Sequence, residues 1–237
     1  MPHLTLHIVE WELYPRRILI YLHEKGLLKS KHIAIVDQAP WLGTPLMRPV
    51  PSLELSRGRS IGPSVAIIEY FEDICDNPQE EWQKELAAMA KPSMRGTNLL
   101  KRAEMRGVYA IIEEASVLFN FASLRGSRRH APVNPTNSAV ANMALGLSKR
   151  SLSGIQDYYS KRFRDNFDDH DYGRDINIAD IALFSLVEYA KELYGQNLVA
   201  GLLNLKRFYM AFDQRESAKR PHGFYPDDIV AQARDWN

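Results

Sequence analysis

Leu4, Leu6 and Ile8 alternate with Thr5, His7 and Val9, a period of two that predicts a half-buried strand near the start of the chain. Glu10 to Pro15 breaks the alternation. From Arg16 the apolar spacing lengthens: Ile18, Leu19 and Leu22 share one helical face, and Gly26 stands where a helix C-cap belongs. His32–Val36 reads as a second strand, and Asp37–Arg48, with Pro40, Gly43 and Pro45, as a loop. Ser52–Leu55 and Ser60–Ile61, on either side of a turn at Ser56–Arg59, read as a short hairpin. Val65, Ile68 and Phe71 then recur at helical spacing from Ser64 to about Cys75. This order, β-α-β-loop-β-β-α, predicts a small α/β domain in which a parallel βαβ unit precedes a hairpin and a closing helix.

Strand signals stop after Asp76. The polar, proline-bearing run Asp76–Glu81 opens a linker, and helices are predicted over 94–124, 137–166, 178–194 and 202–214. Arg125–Pro135, with a basic cluster and two prolines, reads as a loop. The expected organisation is an α/β domain over 1–76, a linker over 77–90 and an all-α domain over 91–237.

Composition narrows the chemistry without naming it. The 237 residues carry 30 Lys and Arg against 29 Asp and Glu, so there is no electrostatic footprint for nucleic acid or an anionic membrane. The single cysteine, Cys75, cannot build a disulfide framework or a cysteine zinc site, and Asp73 and Asp76 beside it disfavour a thiolate. No run approaches the roughly 18 apolar residues of a membrane span, so a soluble, cytoplasmic protein is expected. The seven histidines lack metal-site spacing, since His3 and His7 fall on a strand. Asp169, Asp171 and Gly173 begin like a calcium loop, but Arg174 stands where the glycine is needed. No metal is expected. Nucleotide-binding glycine motifs and a nucleophile elbow are lacking as well.

Five segments, in order, resemble the cytosolic glutathione transferases. They are Pro15–Gly26, which ends in Glu-Lys-Gly; Val50–Leu55; Ile61–Phe71; Asn177–Leu183; and Leu205–Tyr209 with Arg215–Ser217. The resemblance implies a thioredoxin-like domain followed by a helical domain, a homodimer, and glutathione as co-substrate. It implies a cis bond at Val50-Pro51, with the Val50 backbone groups pairing with the peptide backbone of glutathione. Ser64 would open a helix and help hold the γ-glutamyl carboxylate, by its hydroxyl and by the N–H groups beside it; a plain capping role for Ser64 is compatible with this. Asn177 and Asp180 form a capping box flanked by Ile176 and Ile181, which makes Asp180 structural.

The chain departs from that family in three places. Glu12, followed by Leu13, falls where many members have the Ser, Cys or Tyr that supports the glutathione thiolate. An ionised carboxylate cannot donate a hydrogen bond, and its charge raises a neighbouring thiol pKa. The first helix N-terminus, with Arg16 or Arg17, is left to favour the thiolate, and Tyr14 is the nearby hydroxyl. The loop Asp37–Arg48 resists the helix that usually contributes to the glycine carboxylate site. Pro63 stands where a Glu or Gln commonly precedes the serine, and it offers neither a side-chain donor nor a backbone N–H.

Arg106, Tyr109 and Glu113 share one face of a predicted helix, with spacings of three and four. They are candidates for an acid, a base and an anion contact in the second-substrate pocket, against the alternative of a solvated charged face. Arg125, Arg128, Arg129 and His130 form a basic loop, solvated or facing an acidic substrate. The leading expectation is a glutathione transferase-like enzyme acting on a small hydrophobic electrophile, in detoxification or secondary metabolism. A glutathione-independent isomerase, cyclase or lyase using Glu12 and Tyr14 stays open, as does a non-catalytic dimeric binding module.

Overall fold

In the computed structural model the described residues are 2–38, 50–56, 58–132, 134–165 and 176–236, with side chains left out at 163–165. The loop expected to lack its family helix, residues 39–48, lies outside them. The chain divides into two compact units, Met1–Thr97 and Asn98–Asn237.

The first unit is built on a four-stranded sheet. Strands β1 (Leu4–Ile8) and β2 (Ile33–Asp37) are parallel; β3 (Ser52–Leu55) runs antiparallel to β1, and β4 (Ser60–Ile61) antiparallel to β3, in the order β2-β1-β3-β4. The alternation in β1 is the cause of its central place: Leu4, Leu6 and Ile8 are all buried. Helix α1 (Leu13–Lys25) buries Ile18, Ile20, Tyr21 and Leu22 and ends at Gly26, whose φ of 82° is the left-handed conformation expected there. Helix α2 (Ser64–Asp76) buries Ile67, Ile68 and Phe71.

The stretch expected as a linker, 77–90, instead carries helix α3 (Glu81–Met89), which starts in a capping box between Glu80 and Gln83 and buries Trp82 and Leu86. Residues 94–97, expected to begin the long helix of the second unit, belong to the first. The physical reason is a buried ionic cluster. The Lys25 ammonium lies 2.8 Å from the Glu72 carboxylate, both sealed from solvent. Glu72 also accepts from Tyr21 Oη at 2.8 Å, Ser93 Oγ at 2.7 Å and the Met94 N–H at 3.1 Å. Arg95 pairs with Glu69, Asp73 and Asp76 along α2. Each buried charge here has a partner, as burial demands. Together they fasten 92–95 onto α1 and α2.

In the second unit, helix α4 (Leu99–Gly126) packs its stripe Val108, Ile112, Ala115, Phe119 and Ala122 inward, mainly against α5 (Ser138–Ser153) and α7 (Ile178–Glu188). At 28 residues α4 is, among the described residues, the one helix long and apolar enough to cross a membrane by length and composition. The helix expected over 137–166 breaks at Gly154 into α5 and α6 (Gln156–Asp165). Helix α8 (Leu203–Phe212) follows, and α9 (Asp227–Arg234) was not anticipated. The Asn177–Asp180 capping box is formed as expected, and the fully buried Asp180 also meets Arg162 at 2.9 Å and Tyr159 Oη at 3.1 Å.

Beyond Glu188 the chain widens into a π-helical turn, Tyr189–Leu193. A regular helix would set residues 189 and 194 far apart around its axis, whereas a π turn brings residues five apart back toward one side. Tyr189 and Tyr194 accordingly share the Arg129 guanidinium, at 3.2 Å and 2.8 Å.

Candidate functional site at one end of the sheet

The topology gathers three backbone segments at one end of the first unit. Continuing the β1–β3 register past His7↔Ser52 sets Val9 opposite Val50. The β3–β4 pairing runs as far as Leu53↔Ile61, and Ser64 follows three residues later as the first residue of α2. A Cβ on Gly62 would sit 3.4 Å from the Pro51 carbonyl oxygen, which confirms how closely these segments approach. The Val50-Pro51 bond is cis as expected, and Gly62-Pro63 is cis as well.

Both α1 and α2 begin at this end. Their N-caps, Glu12 and Pro63, make no side-chain capping bond, and neither helix has an acidic residue in its first turn. Two helix N-termini thus turn first-turn N–H donors and the positive ends of their dipoles toward the same edge, without the carboxylates that commonly neutralise them. Ser64 is the first helical residue rather than the cap, so a plain capping role does not apply; its side chain is buried.

The remaining candidates of this unit are placed as follows. Glu12 is half-buried at the α1 terminus, with an extended backbone (φ −77°, ψ 149°). Tyr14 is half-buried, and the buried Arg17 guanidinium lies over its ring, 4.9 Å from the centroid. Arg16 is buried and acts electrostatically on Glu10. Pro51 is buried, Val50 half-buried and Pro63 exposed.

Glu10 is the functional candidate that sequence reasoning missed. Its carboxyl is pushed above the usual carboxylate range, first by burial and then by the nearby Asp37 charge, with Arg16 opposing. The available signal was the parallel pairing of β1 with β2, which puts Asp37 beside Ile8 and so brings two carboxylates to the ends of adjacent strands. Cys75 behaves as expected: burial pushes its thiol up to about 11, with Glu72 and Asp76 adding to the effect against Lys25 and Arg95.

In the second unit Arg106 is exposed, while Tyr109 and Glu113 are half-buried, one and two turns farther along α4. The basic loop is not simply solvated. Arg125 donates to the Pro135 carbonyl at 3.3 Å, Arg128 meets Asp235 at 3.3 Å, and His130 Nε2 lies 3.1 Å from Tyr194 Oη. Among the described residues no three His, Cys, Asp or Glu side chains assemble as ligands around one point.

No protein-family model matches the sequence, and no curated protein matches it. Solved structures do. A glutathione S-transferase from Methylobacillus flagellatus, with glutathione bound, aligns with a TM-score of 0.66 at 19% identity, covering 91% of this chain and 96% of that one. A glutathione transferase family member from Pseudomonas fluorescens, also with bound glutathione, gives 0.67 at 15% identity over 91% and 96%. Glutathione transferase Omega 3C from Trametes versicolor gives 0.62 at 19% identity over 92% and 83%. Each alignment spans both units of this chain. The chain has the glutathione transferase fold.

Proposed function

We propose that this chain binds glutathione at the sheet end described above and uses its thiolate to attack a small hydrophobic electrophile. One observation carries the reading: two helix N-termini lacking side-chain caps and first-turn acids converge where Val50 offers its backbone and Ser64 its hydroxyl. The γ-glutamyl carboxylate would take the α2 terminus and Ser64, and the Val50 peptide groups would pair with the tripeptide backbone. The sulfur would lie toward α1, whose dipole, with Arg16 and Arg17 behind it, favours the thiolate against the opposing charge of Glu12. The thiolate then forms the carbon–sulfur bond, and the electron pair released leaves with a departing group or is protonated on the acceptor. That two aligned structures hold glutathione supports the choice of ligand. Calorimetric titration tests it: glutathione should bind with a dissociation constant of about a millimolar or tighter, and Ser64→Ala should weaken it.

The raised Glu10 carboxyl favours a second reading, glutathione-independent acid–base chemistry by Glu10, Glu12 and Tyr14 in an isomerase or lyase. We also infer a homodimer. Val117 and Phe121 on α4, with Met143 and Leu147 on α5, stand exposed at 41–61%, apolar surface that a second copy would cover. Light scattering should give twice the chain mass, and Val117→Lys with Met143→Lys should halve it; a monomeric wild type would refute the dimer.

A further inference from the structure

Away from the sheet end, His3, His32, Trp82 and Glu85 form a cluster between the start of β1 and α3. His32 is buried, and its Nε2 lies 2.9 Å from the Glu85 carboxylate. An ionised carboxylate only accepts, so His32 donates from Nε2, and in its neutral form the ring presents a lone pair on Nδ1. That Nδ1 faces the Nδ1 of His3 at 3.1 Å. His3 is half-buried and stacks flat on Trp82, with ring centroids 4.9 Å apart and an interplanar angle of 7°. Glu85 is in turn held by Lys31 at 2.6 Å.

We propose that His3 and His32 form a two-imidazole site for a borderline divalent transition-metal ion, with Glu85 as the outer carboxylate that orients the buried ligand. Three observations support it. Metal–nitrogen bonds of about 2.0–2.1 Å in a tetrahedral set put two ligand nitrogens about 3.3 Å apart, and less in a square set, so the observed spacing needs little adjustment. A ligand histidine ordinarily gives its second N–H to a carboxylate, and His32 does so. The partial exposure of His3 supplies an entry path and leaves the other coordination positions to water. His3 and His32 are 29 residues apart on different elements, which is why no spacing motif announces them. The competing account is an N–H···N hydrogen bond with His3 as donor.

Copper(II) is the probe, because it heads the affinity order for nitrogen sites and quenches a nearby indole. Calorimetry on the full chain in a non-chelating buffer should show one saturable site, with quenching of the Trp82 fluorescence that is lost in Trp82→Phe. His3→Gln should weaken binding at least tenfold, and Glu85→Ala about 10–100-fold, as expected for an outer-sphere partner. His3 is substituted rather than the buried His32 so that the fold survives, with circular dichroism as the check. Absence of a saturable site, or a site unchanged in His3→Gln, would overturn the proposal and leave the hydrogen-bonded pair.

Discussion

Lys25 Nζ and the Glu72 carboxylate meet 2.8 Å apart at the junction of α1 and α2, with side-chain exposures of 1% and 0%. Glu72 is also the acceptor for Tyr21, Ser93 and the Met94 backbone. Replacing it with Ala strands a buried ammonium and three donors, and should cost about 3–5 kcal/mol in denaturant unfolding. Adding Lys25→Met to that variant should recover part of the loss. A double variant worse than the single one would mean that the pair is not the element holding 92–95 in the first unit.

Glu10 makes stability pH-dependent. Its folded-state pKa lies above the ordinary 4.5, so its contribution is fully present below that ordinary value and is lost as pH rises through the higher folded one. Glu10→Gln should therefore be more thermostable than wild type at pH 7.5, with the difference shrinking as pH falls toward 4. Melting curves at the two pH values decide it; an equal difference at both would remove the effect.

Trp236 fills the place of a side chain at Gly126. A Cβ on Gly126 would collide with its ring, and the tail is further tied by the Arg128 N–H to the Asp235 carbonyl at 2.8 Å. Gly126→Ala should displace the indole and cost about 1–3 kcal/mol. In a Trp236→Ala background the same change should cost far less, and equal costs in both backgrounds would show that the contact carries no energy.

Glu12→Gln separates the two functional readings. If glutathione conjugation is the reaction, removing the charge lowers the bound thiol pKa and the rate at neutral pH rises or holds. If Glu12 is an acid–base group, the rate falls on the order of 10²–10⁴. The pH–rate profile of the variant reads this directly.

Local pattern revealed most of the first unit because its signals are short-range. The alternation in β1, the Gly26 cap and the spacing of Val65, Ile68 and Phe71 each act over a few residues. The domain boundary was illegible for the opposite reason. Arg95 is one basic residue among many until α2 brings Glu69, Asp73 and Asp76 around it, and α3 is short, with only Trp82 and Leu86 buried. The π turn was equally hidden, because 178–194 reads as one continuous helix, and only the tertiary bonds to Arg129 bring Tyr189 and Tyr194 to one side. At the candidate site, Val50, Pro51 and Ser64 came from resemblance. Their convergence with the α1 terminus follows from strand register, and Glu10 gained its character only from its neighbours.

The most direct test compares, by calorimetry, glutathione with the dipeptide Cys-Gly, which lacks the γ-glutamyl carboxylate assigned to the α2 terminus. Saturable binding of glutathione at one site per chain, at about millimolar or tighter, with Cys-Gly at least tenfold weaker, is the predicted result. Equal binding of the two ligands, or no glutathione binding in that range, would contradict it.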